Sequence, residues 1–301
     1  MAVPEISVLG KNVRAKLGEG PHWDTATQKL LWVDSFDHSV HVLDVEEGED
    51  RSYQLDGIVG SVVPRKRGGS VLVATQTSLI FLDLKTGEKE VVATVDDDKP
   101  ENHLNDGKCD PVGRFWVGSM GPEPKPTQVV PEQGSLFSFT GDRKLKKWVD
   151  KITISNGMTW SLDKKTFYYI DTATSQIDAF DYDQEAGSIS NRRTAVKIDP
   201  SHGFPDGMTI DADGMLWVAM YDGWKVLCCN PMSGDIVRQV DLPVAKVTSC
   251  CWGGPNLDEL YVTCESFRLS KEERKAQPLA GSVFTVRNLG THGFPSAVFD
   301  G

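Results

Sequence analysis

The sequence predicts an all-β chain wound into a six-bladed β-propeller, and three observations carry that prediction. A phrase made of a polar residue, a glycine or small residue, a short alternating strand, an Asp/Gly turn and an aromatic strand recurs six times in 301 residues. Its step is 42 to 51 residues, the length of a propeller blade. Helix signals are nearly absent, apart from the capping-box spacing Ser270-Lys271-Glu272-Glu273, which predicts one short surface helix ending before Pro278.

In chain order, the first copy is Gly18-Glu19-Gly20-Pro21-His22-Trp23-Asp24, answered by Lys29-Leu30-Leu31-Trp32-Val33-Asp34. A weaker second copy is Gly60-Ser61-Val62-Val63-Pro64 with Val71-Leu72-Val73-Ala74. The third is Asn105-Asp106-Gly107-Lys108-Cys109-Asp110 with Phe115-Trp116-Val117-Gly118. Asn156-Gly157-Met158-Thr159-Trp160 leads to Phe167-Tyr168-Tyr169-Ile170, and Pro205-Asp206-Gly207-Met208-Thr209-Ile210 leads to Met215-Leu216-Trp217-Val218-Ala219. The sixth is Thr248-Ser249-Cys250-Cys251-Trp252 with Glu259-Leu260-Tyr261-Val262-Thr263. Anchored on Glu19, Ser61, Asn105, Asn156, Asp206 and Ser249, the steps are 42, 44, 51, 50 and 43 residues.

The second half of each unit reads as a hairpin, turning at Thr86-Gly87, near Glu185-Ala186-Gly187 and at Ser233-Gly234. Glu5-Ile6-Ser7-Val8-Leu9 is expected to join the last blade beside Ser282-Val283-Phe284-Thr285-Val286 and close the ring, which protects its edges. Residues 1–301 are thus expected to form one domain. Trp32, Trp116, Trp217 and Tyr261 recur at one strand position and are expected to pack between blades.

Composition narrows the partners. A net charge of -11 opposes binding to nucleic acid or anionic lipid, because both need clustered Lys and Arg. No run is long and apolar enough to span a bilayer, and residues 1–5 lack a secretory start. A cytoplasmic, soluble protein, monomeric or weakly homo-oligomeric, is expected. The six cysteines are too few for a disulfide scaffold and are expected to be reduced, mostly buried thiols.

Equivalent residues of successive blades lie on a circle about the propeller axis, so the six anchors are expected to face one cavity. Two carboxylates and two carboxamides then converge, an oxygen set that suits a hard divalent cation. Asn-Gly and Asp-Gly are also the commonest hairpin-turn dipeptides, so each pair alone reads equally as a turn. Glu19, a poor turn residue heading the same phrase, favours convergence: a six-bladed β-propeller with a central metal site. Other features carry less. His38 and His41 point to opposite faces of a strand, and the acidic runs at 46–50 and 96–98 read as solvated loop. Gly121-Pro122-Glu123-Pro124-Lys125-Pro126 is a stiff irregular stretch that is either a lid or a long connection.

These phrases, together with Ser155-Asn156-Gly157-Met158 and Val247-Thr248-Ser249-Cys250-Cys251, resemble the senescence-marker-protein/regucalcin/gluconolactonase family from end to end. The resemblance implies a six-bladed propeller with one divalent cation on its axis (Ca, Mg, Mn or Zn) and hydrolysis of lactones. It implies Glu19, Asn156 and Asp206 as metal ligands, Asn105 as a contact to substrate or to a metal-bound water, and Glu123 as a further substrate contact. One departure is His103, which stands where lactonases of that family carry a sugar-binding arginine. Histidine is shorter and mostly neutral at pH 7, so the departure bears on sugar specificity rather than on metal binding.

The expected chemistry is metal-assisted opening of a cyclic ester, with a small-molecule lactone or related ester as partner. Asp206 would accept a proton from the attacking water while His103, Asn105 and Glu123 orient substrate. Two alternatives stand beside it: a non-catalytic calcium-binding regulatory protein, and a metal-dependent organophosphate or luciferin-related hydrolase, since those families are similar too.

Overall fold

Each of the six phrases folds into the two inner strands of a four-stranded antiparallel sheet in a computed structural model that describes residues 3–10, 13–66 and 69–301. The innermost strands are Gly18–Asp24, Val59–Pro64, His103–Cys109, Ser155–Trp160, Phe204–Ile210 and Val247–Gly253. They pack one against the next in that order, and the last packs on the first, so the sheets form a closed ring of six blades. The sixth blade is completed by the chain's beginning: Glu5–Leu9 runs antiparallel to Val283–Arg287, with Ile6 opposite Val286 and Val8 opposite Phe284. The expected closure is therefore present, and each innermost strand packs against the innermost strands of the two neighbouring blades.

The expected hairpins are also in place, with Asp183 opposite Ser188 and Asn230 opposite Asp235 flanking their turns. One α-helix, Lys271–Ala276, follows Ser270, whose Oγ accepts from Glu273 N while Glu273 Oε2 accepts from Ser270 N. Among the described residues no helix is long and apolar enough to cross a membrane. All six cysteines are buried free thiols.

The ring is held by aromatics that reach from one blade into the next. Trp116 lies 5.2 Å from Phe167, Trp217 stands edge-on 5.5 Å from Trp252, and Tyr261 lies 5.4 Å from Trp23. All are almost completely buried, and each such side chain contributes on the order of 1.5–3 kcal/mol by leaving water. Strand register corrects one expectation. Trp116, Trp217 and Tyr261 pair with Lys108, Thr209 and Cys251, but the first-blade residue in that place is Leu31, opposite His22, and Trp32 lies one residue further on. Trp32 is buried, with its indole stacked at 3.9 Å on His41 of its own blade.

Every inner strand carries a one-residue bulge at the head of its phrase: between Glu19 and His22, Val59 and Ser61, Leu104 and Gly107, Ser155 and Met158, Pro205 and Met208, and Val247 and Ser249. A bulge breaks the two-residue alternation and re-aims the side chain it carries. Counted from the last pair before each bulge, Asn105, Asn156 and Asp206 match Gly60 and Thr248 of the second and sixth blades. In the first blade Glu19 still pairs with Val33 and the bulge falls one residue later, but Asp34, opposite Gly18, accepts from Lys16 N and Leu17 N as Asp171, opposite Ser155, accepts from Thr153 N and Ile154 N, which matches Glu19 to Asn156. Ser61 and Ser249 come one residue later, level with Asp106. The six-fold series of anchors is thus offset by one in two blades.

Candidate functional site

Four oxygen-bearing side chains head their phrases, Asn105, Asn156 and Asp206 within the bulge and Glu19 just before it, and the other two blades leave them room. At Gly60 an added Cβ would come within 2.2 Å of the Asn105 carbonyl, so that blade can present no side chain there. Thr248 turns its hydroxyl away, donating to the Gly18 carbonyl at 2.6 Å.

Local hydrogen bonds decide which atoms the four present. Thr172 Oγ1 donates to the Pro205 carbonyl at 2.8 Å, so its lone pairs must accept from Asn156 Nδ2, at 2.9 Å. That fixes the carboxamide, and Asn156 Oδ1 is left buried with no donor. Asn105 is fixed in the same way, its Nδ2 donating to the Ser155 carbonyl at 2.8 Å. Asp206 is buried and its Oδ1 likewise has no donor. Glu19, also buried, accepts among the described residues only from Gly20 N, at a long 3.3 Å.

Such carboxylates are costly to bury uncompensated. Burial, reinforced by the charges of Asp206, Asp106 and Glu265, holds the Glu19 carboxyl well above its ordinary range. Burial also raises Asp206, helped by Asp106 and Glu265 and opposed by the Gly207 N–H and Asn156. Asp106 itself is raised by burial against the pull of Lys108 and of Gly107 N, which donates to it at 2.7 Å. The nearby ammonium of Lys108 is engaged elsewhere, donating to the Met208 carbonyl at 2.6 Å.

The remaining predicted residues lie at the same end of the third blade, His103 opening its innermost strand and Glu123 following its second strand. His103 is half-buried, and its Nδ1 donates to the Leu104 carbonyl at 3.1 Å, leaving Nε2 as the acceptor of a neutral ring. Burial lowers its pKa, and Arg268 opposes the small upward pull of Glu123. Glu123 is not free to the cavity: its carboxylate accepts from Thr127 N and from the Arg268 guanidinium. Arg268 also donates to Glu265 Oε2 at 3.2 Å, where Tyr221 OH donates at 2.7 Å.

Sequence reasoning missed Thr172, Tyr221, Glu265 and Arg268. The first three are equivalent, each following the residue of the second strand that forms the last pair before the bulge: Asp171, Met220 and Cys264 in blades four, five and six. Carrying the repeat alignment a few residues past the aromatic strand would have found them. Arg268 lies in an irregular loop of one blade and leaves no such signal.

The donor set fits a divalent cation, because it offers hard oxygens, two of them buried without a partner, and two carboxylates that repel one another. Among the described residues no group of three His, Cys, Asp or Glu side chains is arranged to hold a metal. The fit therefore depends on the Asn156 carboxamide, with Asn105 beside it.

Comparison with known proteins agrees with this fold. The family model described as SMP-30/Gluconolactonase/LRE-like region matches residues 17–266. Regucalcin of Gallus gallus is 42% identical over 301 residues, covering 100% of both chains. The structure of a luciferin-regenerating enzyme superposes with a TM-score of 0.92 at 32% identity, over 99% of this chain and 100% of that one. A regucalcin from Agrobacterium tumefaciens, described as a calcium-binding protein, shares the fold with a TM-score of 0.89 at 24% identity, over 97% of each chain. With a family match spanning most of its length and a full-length relative above two-fifths identity, the chain belongs to the SMP-30/gluconolactonase/LRE-like family.

Proposed function

We propose that this protein is a divalent-metal-dependent hydrolase that opens a small cyclic ester, with Glu19, Asn156 and Asp206 holding the cation. The observation that carries the reading is the pair of buried, donor-free oxygens Asn156 Oδ1 and Asp206 Oδ1, beside a second buried carboxylate at Glu19. Oxygen donors of this kind take calcium, magnesium or manganese readily and zinc as well. When bound, the cation supplies Lewis-acid polarisation of the ester carbonyl and neutralises the converging carboxylates.

The chain's own residues do the rest. Asp206 accepts a proton from the attacking water and returns it to the ring oxygen that leaves as an alcohol. Asn105 holds substrate through its Oδ1, since its Nδ2 is committed to Ser155. His103, kept neutral, offers Nε2 as an acceptor for a substrate hydroxyl. Removal of metal by chelation is expected to abolish proton release from δ-lactones, and restoring one of calcium, magnesium, manganese or zinc to recover it.

A second reading is supported by the description of the Agrobacterium relative as calcium-binding: the same oxygens hold calcium without turnover. The chelation experiment separates the two readings. Tight calcium binding with no hydrolysis of any δ-lactone or phosphotriester under any of the four metals would establish the second and overturn the first.

A further inference from the structure

We infer that Arg268 is a specificity-determining residue that reads the hydroxyl groups of a polyhydroxylated cyclic ligand at the mouth of the axial site. The inference deepens the reading of that site as one that takes a small cyclic ester, and rests on it.

The guanidinium crosses the mouth. Arg268 follows the second strand of the sixth blade and Glu123 follows the second strand of the third, and the cyclic order of the inner strands makes these blades opposite. Their ion pair therefore spans the opening rather than joining neighbours. Glu265, which Arg268 also grips, is fully buried and lies close enough to Glu19 and Asp206 to raise both. A ligand entering from this mouth to reach Asp206 passes beneath the guanidinium.

Arg268 is also held as a recognition group is held. One terminal nitrogen donates to Glu265 and the other to Glu123, and the ring of Phe36 lies 4.8 Å beneath its carbon. The side chain is only 15% exposed, so the charge is fixed and mostly desolvated. A guanidinium has five N–H donors; the two carboxylates engage one on each terminal nitrogen and Tyr221 lies within hydrogen-bonding reach of a third, which leaves the others for a ligand. His103, neutral and with its one N–H spent on Leu104, can only accept there. Arg268 is the charged donor that lies between the third and sixth blades, with Lys246 drawn off to Asp222, and the chemistry it recognises is a ring hydroxyl or its oxygen lone pairs. A carboxylate or phosphate substituent is disfavoured, because Glu123 and Glu265 together outweigh the single positive charge.

The test uses two non-hydrolysable probes with metal-loaded protein, D-glucono-δ-lactam and the hydroxyl-free δ-valerolactam, titrated by calorimetry. Arg268→Met would leave Glu265 buried without its counter-charge, so it is paired with Glu265→Gln, and Arg268→Lys is measured alone. The expected result is a loss of about 10- to 100-fold in affinity for the gluconolactam, the scale of a charge-assisted hydrogen bond. Affinity for δ-valerolactam, measured at saturating metal, should stay within about twofold. Arg268→Lys, which keeps charge without the planar fork, should fall between. Equal losses for both lactams, unchanged gluconolactam binding in all variants, or no gluconolactam binding by the parent would each overturn the inference. Parent protein that binds gluconolactam through Arg268 yet hydrolyses no lactone would instead overturn the hydrolase reading and leave the role of Arg268 standing.

Discussion

Asn156 donates from Nδ2 to Thr172 Oγ1 at 2.9 Å, and that hydroxyl passes its own proton to the Pro205 carbonyl at 2.8 Å. The chain of two bonds runs from the fourth blade to the fifth and leaves Asn156 Oδ1 without a hydrogen-bond donor among the described residues. Thr172→Val keeps the shape of the side chain and removes both bonds, so the carboxamide is free to turn. Metal affinity is expected to fall about 10- to 100-fold, as for other losses of a group that orients a ligand. Calorimetric titration of calcium into parent and variant checks this, and equal affinities would show that Thr172 does not set the orientation.

Asp110 predicts a cost in stability far from the site. Its fully buried carboxylate accepts from Tyr182 OH at 2.6 Å, Trp116 Nε1 at 3.2 Å, and the backbone of Val112 and Arg114 at 3.0 Å each. Tyr182 belongs to the next blade, so this carboxylate ties two blades together. Tyr182→Phe withdraws one donor from a buried charge and should destabilise by about 1.5–3 kcal/mol in urea unfolding. Metal affinity should be unchanged in the same variant.

The pH dependence of stability has a component from His22. Burial, opposed by Asp24 and supported by Lys108, lowers its imidazole from 6.5 to about 4. Asp106 and Lys108 line the same narrow axial cavity, and His22 Nε2 has no donor or acceptor within reach. The folded protein thus keeps His22 neutral where the unfolded chain protonates it. Its contribution is complete above about pH 6.5 and is lost as pH falls toward 4, at about 1.4 kcal/mol per unit. Urea unfolding of parent and His22→Leu between pH 4 and 7.5 should give a constant difference above about pH 6.5, with the parent losing stability relative to the variant as pH falls from there toward 4. Parallel curves would contradict the assignment.

How far the sequence could be read depended on what repeats. Glu19, Asn105, Asn156 and Asp206 were legible because each heads a phrase of fixed grammar, and six copies define a ring. Ser61 and Ser249 were matched to them because serine is polar, whereas backbone register puts Gly60 and Thr248 in that place. A bulge is set by hydrogen bonding across the sheet, and neighbouring small residues give it no distinct signature. Trp32 was misplaced by one residue for the same reason. Closure by Glu5–Leu9 and the capped helix after Ser270 were legible, since both rest on local patterns. The Arg268–Glu123 pair was not, because it joins loops 145 residues apart that belong to opposite blades. Glu123 could be named from the resemblance, but its partner could not.

The central claim is that Glu19, Asn156 and Asp206 hold one divalent cation on the propeller axis, and its most direct test is anomalous scattering from crystals of the protein soaked in manganese. The account predicts one strong axial peak, about 2.0–2.6 Å from oxygens of all three side chains, that disappears in Asp206→Ala. An axis without a peak in the parent, or a peak that survives Asp206→Ala in the same place, would contradict it.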